Sequence, residues 1–231
     1  MKRRVVVTGL GAITPVGNDV AAAWRALIDG VPGAGPITKF DASKFPVRFA
    51  CEVKGFDPLQ YMDRKEAKRA DAYAQYALAG AAQAMADAAL TDPSMYDPDR
   101  VGVILGSGIG GLKSFEEQHD IYRERGPSKI SPFFIPMFIA DIAAGLVSMR
   151  YNAKGPNYAT ISACATSAHA IGDAFRTIQY GDADIVITGG SEATVTPMAI
   201  GGFANMKALS ERNDAPETAS RPMSTSALPS R

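Results

Sequence analysis

Apolar residues along the chain fall into two patterns: short runs that predict buried strands, and longer stretches with helical spacing. The short runs predict strands over residues 5–7, 101–105, 157–161 and 184–188. Helical spacing predicts a helix that Asn18 or Asp19 caps and Gly30 ends, followed by helices over 63–90, 112–125, the end of 131–150, and 165–180. Residues 31–60 are rich in Pro, Gly and Asp, which predicts a loop with short strands.

Predicted strands and helices alternate along the chain, which favours a parallel or mixed sheet flanked by helices in an α/β fold. Neither a tandem repeat nor a linker divides the sequence. We therefore expect one α/β domain over residues 1–222, followed by a short polar tail over residues 223–231.

Composition narrows the classes of function. The 231 residues are 46% hydrophobic and 21% charged, and their formal net charge is zero. No overall field therefore favours a nucleic-acid partner, and no apolar run approaches the length of a membrane span. Cys51 and Cys164 form neither a disulfide framework nor a metal-ligand spacing. This pattern fits a reducing cytoplasm and predicts no metal site.

Cys164 carries the strongest chemical signal in the sequence. It lies where the predicted strand over 157–161 gives way to the predicted helix over 165–180. The free N–H groups and the positive end of a helix dipole stabilise a thiolate there, and the thiolate is the nucleophile. Its neighbours Ser162 and Ala163 are small enough to leave the sulfur accessible. The context favours a nucleophilic cysteine over a buried structural one.

A glycine motif offers a competing interpretation. Gly106, Gly108 and Gly111 match the dinucleotide-binding pattern G-x-G-x-x-G between a predicted strand and a predicted helix. That pattern also needs an acidic residue at the end of a second strand, and Glu124 lies within the helix instead. Thr8-Gly9-Leu10-Gly11 resembles the opening of a short-chain dehydrogenase, but Thr14-Pro15 falls where another glycine would be needed. Binding of NAD(P) by a dehydrogenase therefore stays a remote alternative, and the glycines can simply let backbone approach backbone.

Three basic residues, Lys65, Lys68 and Arg69, have the spacing that brings side chains together at one end of the predicted helix over 63–90. Such a cluster is either a solvated helix face or a docking site for an acidic partner. The spacing alone leaves both open.

Several long motifs, in the same order, resemble the β-ketoacyl-acyl carrier protein synthases, and most closely the synthase II group of bacterial fatty-acid elongation. The motifs are VVVTGLGAITPVG at 5–17, GSGIGG at 106–111, GPN at 155–157, ISACATSAHAIGD at 161–173, GGSE at 189–192 and ALS at 208–210. The resemblance covers about residues 2–222.

The resemblance implies a thiolase-like fold, in which two similar α/β halves form a five-layered αβαβα core, and this chain is similar to the first half. It implies that Cys164 accepts the acyl group and that its backbone N–H helps to bind the oxyanion. The residues that fall where such enzymes line the acyl-chain pocket are Ile109, Phe134, Ala163, Ala199 and Phe203. The implied partner at Lys65, Lys68 and Arg69 is the acyl carrier protein. That protein brings its own phosphopantetheine, so no other cofactor is implied.

In the family, a second stage decarboxylates malonyl-carrier protein with two histidines and a lysine from the second half. This chain has two histidines: His169 belongs to the Cys164 motif, and His119 lies in a polar, surface helix. The sequence also departs from the family after Pro222, before the last strand of the first half. We therefore expect a truncated cytoplasmic synthase that transfers acyl groups without condensing them, and a homodimer in the full-length form. The alternatives are a type II polyketide ketosynthase fragment and a non-catalytic fragment that pairs with an intact synthase subunit.

Overall fold

The structure is a computed structural model that describes residues 3–221. These residues form two compact units. The first consists of residues 3–12 and 57–194, and the second of residues 13–56 and 195–221. The predicted polar tail over 223–231 lies outside the described residues. The helices are α1 Val20–Ile28, α2 Arg64–Ala67, α3 Ala72–Asp87, α4 Leu112–Arg125, α5 Phe134–Phe138, α6 Ile142–Tyr151, α7 Thr166–Tyr180 and α8 Pro197–Asn205. The strands are β1 Gly35–Pro36, β2 Phe49–Ala50, β3 Val101–Gly106, β4 Asn157–Tyr158 and β5 Ile185–Gly190.

The first unit is built on a three-stranded parallel sheet in the order β4-β3-β5. In its register, Val103 of β3 lies opposite Asn157 of β4 and Ile187 of β5. Helices lie between successive strands in the sequence, and the predicted α/β class is confirmed. Because the strands are parallel, the loops that follow them leave the sheet at the same edge.

Side chains of β3 alternate between two apolar layers, as a strand covered on both faces requires. Val101, Val103 and Leu105 pack in one cluster with residues of α3 and α6, including the fully buried Tyr73 and Val147. Ile104 points to the other face, where it packs with Ala170 and Ala174 of α7. The sheet therefore lies between α3 and α6 on one side and α7 on the other.

Charged side chains link the N-terminal ends of β3 and β5. Asp184, just before β5, accepts hydrogen bonds from Arg100 at 3.0 and 3.1 Å and from Arg3 at 2.5 Å. The bonds from Arg100, followed by those from Arg3, lower the pKa of the Asp184 carboxyl to about 2. Arg100 directly precedes β3, so its two bonds to Asp184 fix the start of β5 beside the start of β3.

The second unit contains α1, the antiparallel pair β1 and β2, and α8. Its buried residues Val47, Ile200 and Ala204 form a small cluster of their own. The predicted cap is confirmed at Asp19, whose side chain accepts the Ala22 N–H at 2.7 Å. Ala23 is the buried residue of α1, whereas Trp24, Leu27 and Ile28 are exposed, and Trp24 retains 64% of its accessible surface.

The predicted buried strand over residues 5–7 is wrong. These residues form no strand within the described part of the chain, and Val7 is 79% exposed. The backbone just beyond them lies against α3: the Leu10 N–H donates to Asp87 at 2.9 Å and the Ala12 N–H donates to Gln83 at 2.9 Å. A strand needs a partner strand for its N–H groups, and here helix side chains accept these bonds instead.

The single predicted helix over 63–90 is also wrong, since a break separates α2 from α3. Asp63 caps α2, and a second aspartate, Asp71, caps α3. Gln75 donates to the carbonyls of Ala67 and Ala70, both at 2.9 Å, which satisfies carbonyl groups left free at the break. The alanine-rich sequence predicts one continuous helix, but the second cap, Asp71, begins a new helix after the break.

The remaining predicted elements are confirmed with shifted ends. The strands over 101–105 and 184–188 correspond to β3 and β5, and the helices over 112–125 and 165–180 correspond to α4 and α7. The loop and helix predicted within 131–150 appear as α5 and α6. Short strands β1 and β2 lie in the predicted loop region. The strand predicted over 157–161 is shorter than expected, since β4 ends at Tyr158.

No helix in the described residues 3–221 combines the length and the apolar character needed to cross a membrane.

Candidate functional site

Cys164 lies in a 3₁₀ turn, Ala163–Ala165, that opens directly into α7. Its side chain is exposed, so a substrate can reach the sulfur. We call residues 162–165 the nucleophile turn. The structure thus places the thiol at a helix start, as the sequence predicts, and its chemical role stays a prediction.

Side-chain hydrogen bonds hold the nucleophile turn in an unusual conformation. Ala163 has a φ of +51°, a value that costs a residue with a Cβ roughly 1–3 kcal/mol. The buried Thr166 accepts the Ser162 N–H on its hydroxyl at 2.8 Å and the Thr160 hydroxyl on its carbonyl at 3.0 Å. The Ser162 hydroxyl lies 2.6 Å from Nδ1 of His169, one turn into α7. These bonds account for the early end of β4, because they turn the chain where the sequence predicts a strand.

Two glycines let the start of α7 approach the sheet. A Cβ at Gly106, the last residue of β3, would lie 2.1 Å from Cγ2 of Thr166. A Cβ at Gly190, the last residue of β5, would lie 2.7 Å from Cβ of Ser167. Both distances are far below van der Waals contact, so only glycine fits at these strand ends.

Gly106→Ala is therefore expected to push Thr166 and the nucleophile turn away from the sheet. We expect a loss of about 1–3 kcal/mol in the free energy of unfolding and slower alkylation of Cys164 by iodoacetamide. Urea unfolding and intact-mass kinetics measure the two effects. Gly172→Ala in the middle of α7 is the control: a Cβ there meets nothing within 4 Å, so the change should stabilise the helix by up to about 1 kcal/mol. Equal stability of the two variants would contradict this account.

The glycine loop, residues 106–111, lies against the nucleophile turn and uses its N–H groups internally. Glu192, two residues after β5, accepts the Gly108 N–H at 2.7 Å and the Ile109 N–H at 3.2 Å. The Gly110 N–H donates to the Ser107 hydroxyl at 3.0 Å, and the Gly111 N–H donates to the Phe138 carbonyl at 3.0 Å. A dinucleotide pyrophosphate needs such groups free. The structure therefore does not support the nucleotide-binding alternative, and the expectation that these glycines allow close backbone packing is confirmed.

Sequence reasoning missed the role of Glu192, although it lies in the GGSE motif at 189–192. Loss of solvent around the carboxyl raises the pKa of Glu192 above its usual range, against the opposing effect of the N–H donors of Gly108 and Ile109. The motif signals a polar residue at a strand end, and the hydrogen bonds across 84 and 83 positions of sequence show what it binds.

The five residues predicted to line an acyl pocket fall in both units. Ile109 and Ala163 lie in the first unit at the glycine loop and the nucleophile turn, and both are exposed. Phe134 opens α5, where its ring stacks on Phe138 with centroids 5.8 Å apart. In the second unit, both remaining residues lie on α8, with Ala199 buried and Phe203 40% exposed.

The three predicted docking residues are exposed around the break between α2 and α3. Lys65 lies in α2 and Lys68 caps its end. Arg69 follows, with its guanidinium 4.1 Å from the centroid of the Phe133 ring, a cation–π distance. The broken helix keeps the three cations within one short segment.

The two histidines lie in different surroundings. His119 is exposed on α4, as predicted, and its Nδ1 lies 3.8 Å from Asp120. His169 lies on α7 and lines an open groove of about 470 Å³ together with Ser162, Asp173 and Arg176. Within residues 3–221, no group of three or more metal-binding side chains is close enough together to hold an ion.

Comparison with known sequences adds the family relationship. The family model described as "Beta-ketoacyl synthase, N-terminal domain" matches residues 2–226. The chain is 52% identical over 221 residues to a 3-oxoacyl-[acyl-carrier-protein] synthase 2 of Synechocystis sp. and 50% identical to that of Coxiella burnetii. Each alignment covers 96% of this chain and 53% of the relative. The chain thus spans about half the length of these curated relatives.

Comparison with solved structures gives the same fold. A β-ketoacyl synthase from Burkholderia phymatum aligns with a TM-score of 0.85 at 28% identity, over 96% of this chain and 54% of that one. The ishigamide ketosynthase/chain length factor aligns with a TM-score of 0.82 at 26% identity, over 89% and 51%. A type II PKS ketosynthase, solved in complex with its acyl-carrier protein, aligns with a TM-score of 0.74 at 23% identity, over 91% and 54%, a likeness of fold alone. The thiolase-like α/β class is confirmed.

Proposed function

The chain belongs to the β-ketoacyl synthase family through its N-terminal domain, and from this membership we propose that it carries the acyl-accepting site of a 3-oxoacyl-[acyl-carrier-protein] synthase of fatty-acid elongation. One observation carries the proposal: the exposed thiol of Cys164 lies in the turn that opens α7, beside the strand ends of a parallel sheet. The thiol therefore lies at the N-terminus of a 15-residue helix.

The proposed step is a thioester exchange. The Cys164 thiolate attacks the carbonyl carbon of an acyl group carried on the phosphopantetheine thiol of the acyl carrier protein. A new carbon–sulfur bond forms, and the oxyanion of the tetrahedral intermediate accepts a hydrogen bond from the Cys164 N–H. The bond to the phosphopantetheine sulfur then breaks, and that sulfur leaves as a thiolate, which takes a proton from solvent. No oxidant, metal or other cofactor takes part in this balance.

Intact-mass measurement tests the proposal on the full 231-residue chain. After incubation with acyl-acyl carrier protein, the mass should rise by one acyl group, and digestion should place the group on the peptide that contains Cys164. A chain that stays unmodified, or that carries the group on Cys51, would refute the role of Cys164. We expect no 3-oxoacyl product when malonyl-carrier protein is added, since His169 Nδ1 lies 2.6 Å from the Ser162 hydroxyl and His119 lies on the surface of α4.

We also propose that Lys65, Lys68 and Arg69 bind the acidic acyl carrier protein. Because exposed cations act mainly on the association rate, the double change Lys65→Glu with Lys68→Glu is expected to weaken binding about tenfold at low salt and much less at high salt. Arg69 stays unchanged in the test because it packs on Phe133. Fluorescence anisotropy with a labelled carrier protein measures the affinity.

The matched control for this docking test reverses the charge of Lys129 and Lys154, which are exposed in the same unit. It changes the net charge by the same amount at other positions. Equal weakening by the two double variants would mean that overall charge, and no specific cluster, attracts the carrier protein.

Homodimer formation and a cytoplasmic location belong to the same proposal. Several apolar side chains are exposed on β4, on α7 and on the loop between them, including Ile161, Ile171 and Phe175. Their exposure supports pairing with a second copy or with an intact synthase subunit. If the chain is strictly monomeric in sedimentation equilibrium and does not co-purify with a full-length subunit, the proposed pairing is refuted. If the protein is recovered from the membrane or extracellular fraction, the proposed location is refuted.

Fatty-acid elongation is preferred over the type II polyketide alternative because of sequence identity. The chain is 52% identical to a 3-oxoacyl-[acyl-carrier-protein] synthase 2 and 23% identical to the type II PKS ketosynthase above. Acylation from saturated acyl donors, with little from polyketide donors, would support this choice, and the reverse preference would overturn it.

A further inference from the structure

We propose that Glu192 is a positioning residue that holds the glycine loop against the nucleophile turn and thereby fixes Ile109 beside the acyl-accepting site. The inference deepens the proposed function, since it concerns which acyl chains reach Cys164. It rests on that function only for its consequence for substrates, because the contacts of Glu192 are observed independently of any reaction.

One carboxylate joins three consecutive residues of the loop. Oε2 of Glu192 accepts the N–H groups of Gly108 and Ile109, and Oε1 accepts the Ser107 hydroxyl at 3.3 Å. Ser107 is buried and its hydroxyl in turn accepts the Gly110 N–H. Hydrogen bonds to a charged acceptor are about twice as strong as neutral ones. Glu192 therefore fixes the loop backbone on both sides of Gly108.

The loop is held from two sides. A Cβ at Gly108 would lie 2.8 Å from Oε2 of Glu192 and 3.6 Å from the Ala163 carbonyl oxygen, so Glu192 and the nucleophile turn both pack closely against the loop at Gly108. Farther along, a Cβ at Gly110 would lie 2.6 Å from the Phe138 carbonyl oxygen, so the end of α5 closes the other side. Ile109 stands between these two contacts with 38% of its surface exposed.

The position of the Ile109 side chain decides whether this part of the loop can contact an acyl chain. The residues on both sides of it are glycines, so Ile109 is the one loop side chain at this point that can contact an apolar chain. Glycine neighbours also give the backbone wide conformational freedom. Without the carboxylate, three donors of the loop lose their hydrogen-bond acceptor, and the backbone no longer holds Ile109 in one position. Glu192 thus acts through Ile109, without contact to the reacting atoms.

The test compares Glu192→Ala and Glu192→Gln with the control Glu117→Gln, an exposed glutamate on α4 that pairs with Lys113. All variants carry Cys51→Ser, so that Cys164 is the one remaining thiol of the chain. Two measurements are made: hydrogen exchange of the Gly108 and Ile109 amides, and alkylation of Cys164 by iodoacetamide and by its N-dodecyl analogue. A structural role alone would not change the ratio of the two alkylation rates.

In Glu192→Ala we expect exchange at the two amides to rise at least about tenfold. The dodecyl rate, relative to the iodoacetamide rate, should fall about tenfold because a fixed apolar contact is lost. Glu192→Gln keeps an acceptor oxygen and should restore most of both properties, and Glu117→Gln should change neither. If Glu192→Ala does not fold, Glu192→Gln decides alone, because it lacks one carboxylate oxygen and should still show a smaller but measurable rise in exchange and fall in the rate ratio. Unchanged exchange, or an unchanged rate ratio, overturns the proposal.

The outcome is separable from that of the proposed function. A wild-type chain that takes no acyl group from the carrier protein, yet shows the expected exchange and rate ratio, refutes acyl transfer and supports the role of Glu192. A chain that is acylated, but whose loop amides exchange equally in every variant, supports acyl transfer and refutes the role of Glu192.

Discussion

Cys164→Ala is expected to abolish acylation of the chain by acyl-acyl carrier protein. Removal of a nucleophile typically lowers the rate of covalent catalysis by at least about 1000-fold, and no other thiol lies in the nucleophile turn. Nothing in the fold should suffer, because the Cys164 side chain is exposed and the turn is held by Ser162, Thr160 and Thr166. Intact-mass measurement over a time course gives the extent of acylation, and far-ultraviolet circular dichroism checks the fold.

Cys51→Ala is the matched control, since Cys51 is the other exposed cysteine and lies after β2 in the second unit. It should be acylated as fast as the unaltered chain. An adduct that survives in Cys164→Ala, or that disappears in Cys51→Ala, would show that the helix start at α7 is not the acyl acceptor.

Asp71→Ala is expected to lower the free energy of unfolding by about 3 kcal/mol. Asp71 is 4% exposed. One carboxylate oxygen caps α3 by accepting the Tyr73 N–H at 3.3 Å, and the other accepts the N–H and the hydroxyl of Ser114 at 3.0 and 2.7 Å. Ser114 lies in the first turn of α4. A single side chain thus caps two helices, and its removal leaves buried donors of both without an acceptor.

Urea unfolding followed by circular dichroism measures this loss. Asp92→Ala is the control, because Asp92 caps an exposed 3₁₀ turn by accepting one N–H, that of Ser94, at 2.8 Å. Its removal leaves solvent-accessible groups that water can satisfy, so the loss should be much smaller. Similar losses in the two variants would mean that Asp71 contributes no more than an ordinary cap and that α4 does not depend on it.

The glycine loop shows how one sequence pattern can serve two kinds of site. A G-x-G-x-x-G motif after a strand presents N–H groups that suit a phosphate. Here the carboxylate of Glu192 takes the place that such an anion would occupy at Gly108 and Ile109. The same backbone geometry therefore serves internal packing beside the nucleophile turn.

Local patterns in the sequence predict the features that depend on neighbouring residues. Apolar runs located β3 and β5, helical spacing located α4 and α7, and short polar side chains before an amphipathic stretch narrowed the cap of α1 to Asn18 or Asp19. The position of Cys164 at the start of a helix follows from the same local signals. These succeed because helix hydrogen bonds and caps join residues a few positions apart.

Features that join distant residues depend on contacts that form in the folded chain. Residues 5–7 have the composition of a strand, yet no neighbouring strand pairs with them within residues 3–221, and their segment bonds to α3. Asp71 interrupts an alanine-rich helix because its acceptor atoms serve Ser114, 43 residues away. Glu192 reaches the glycine loop across more than 80 residues. The physical reason is common to all three: strand pairing and long-range hydrogen bonds need partners that the folded chain supplies, and local sequence carries no record of which partners these are.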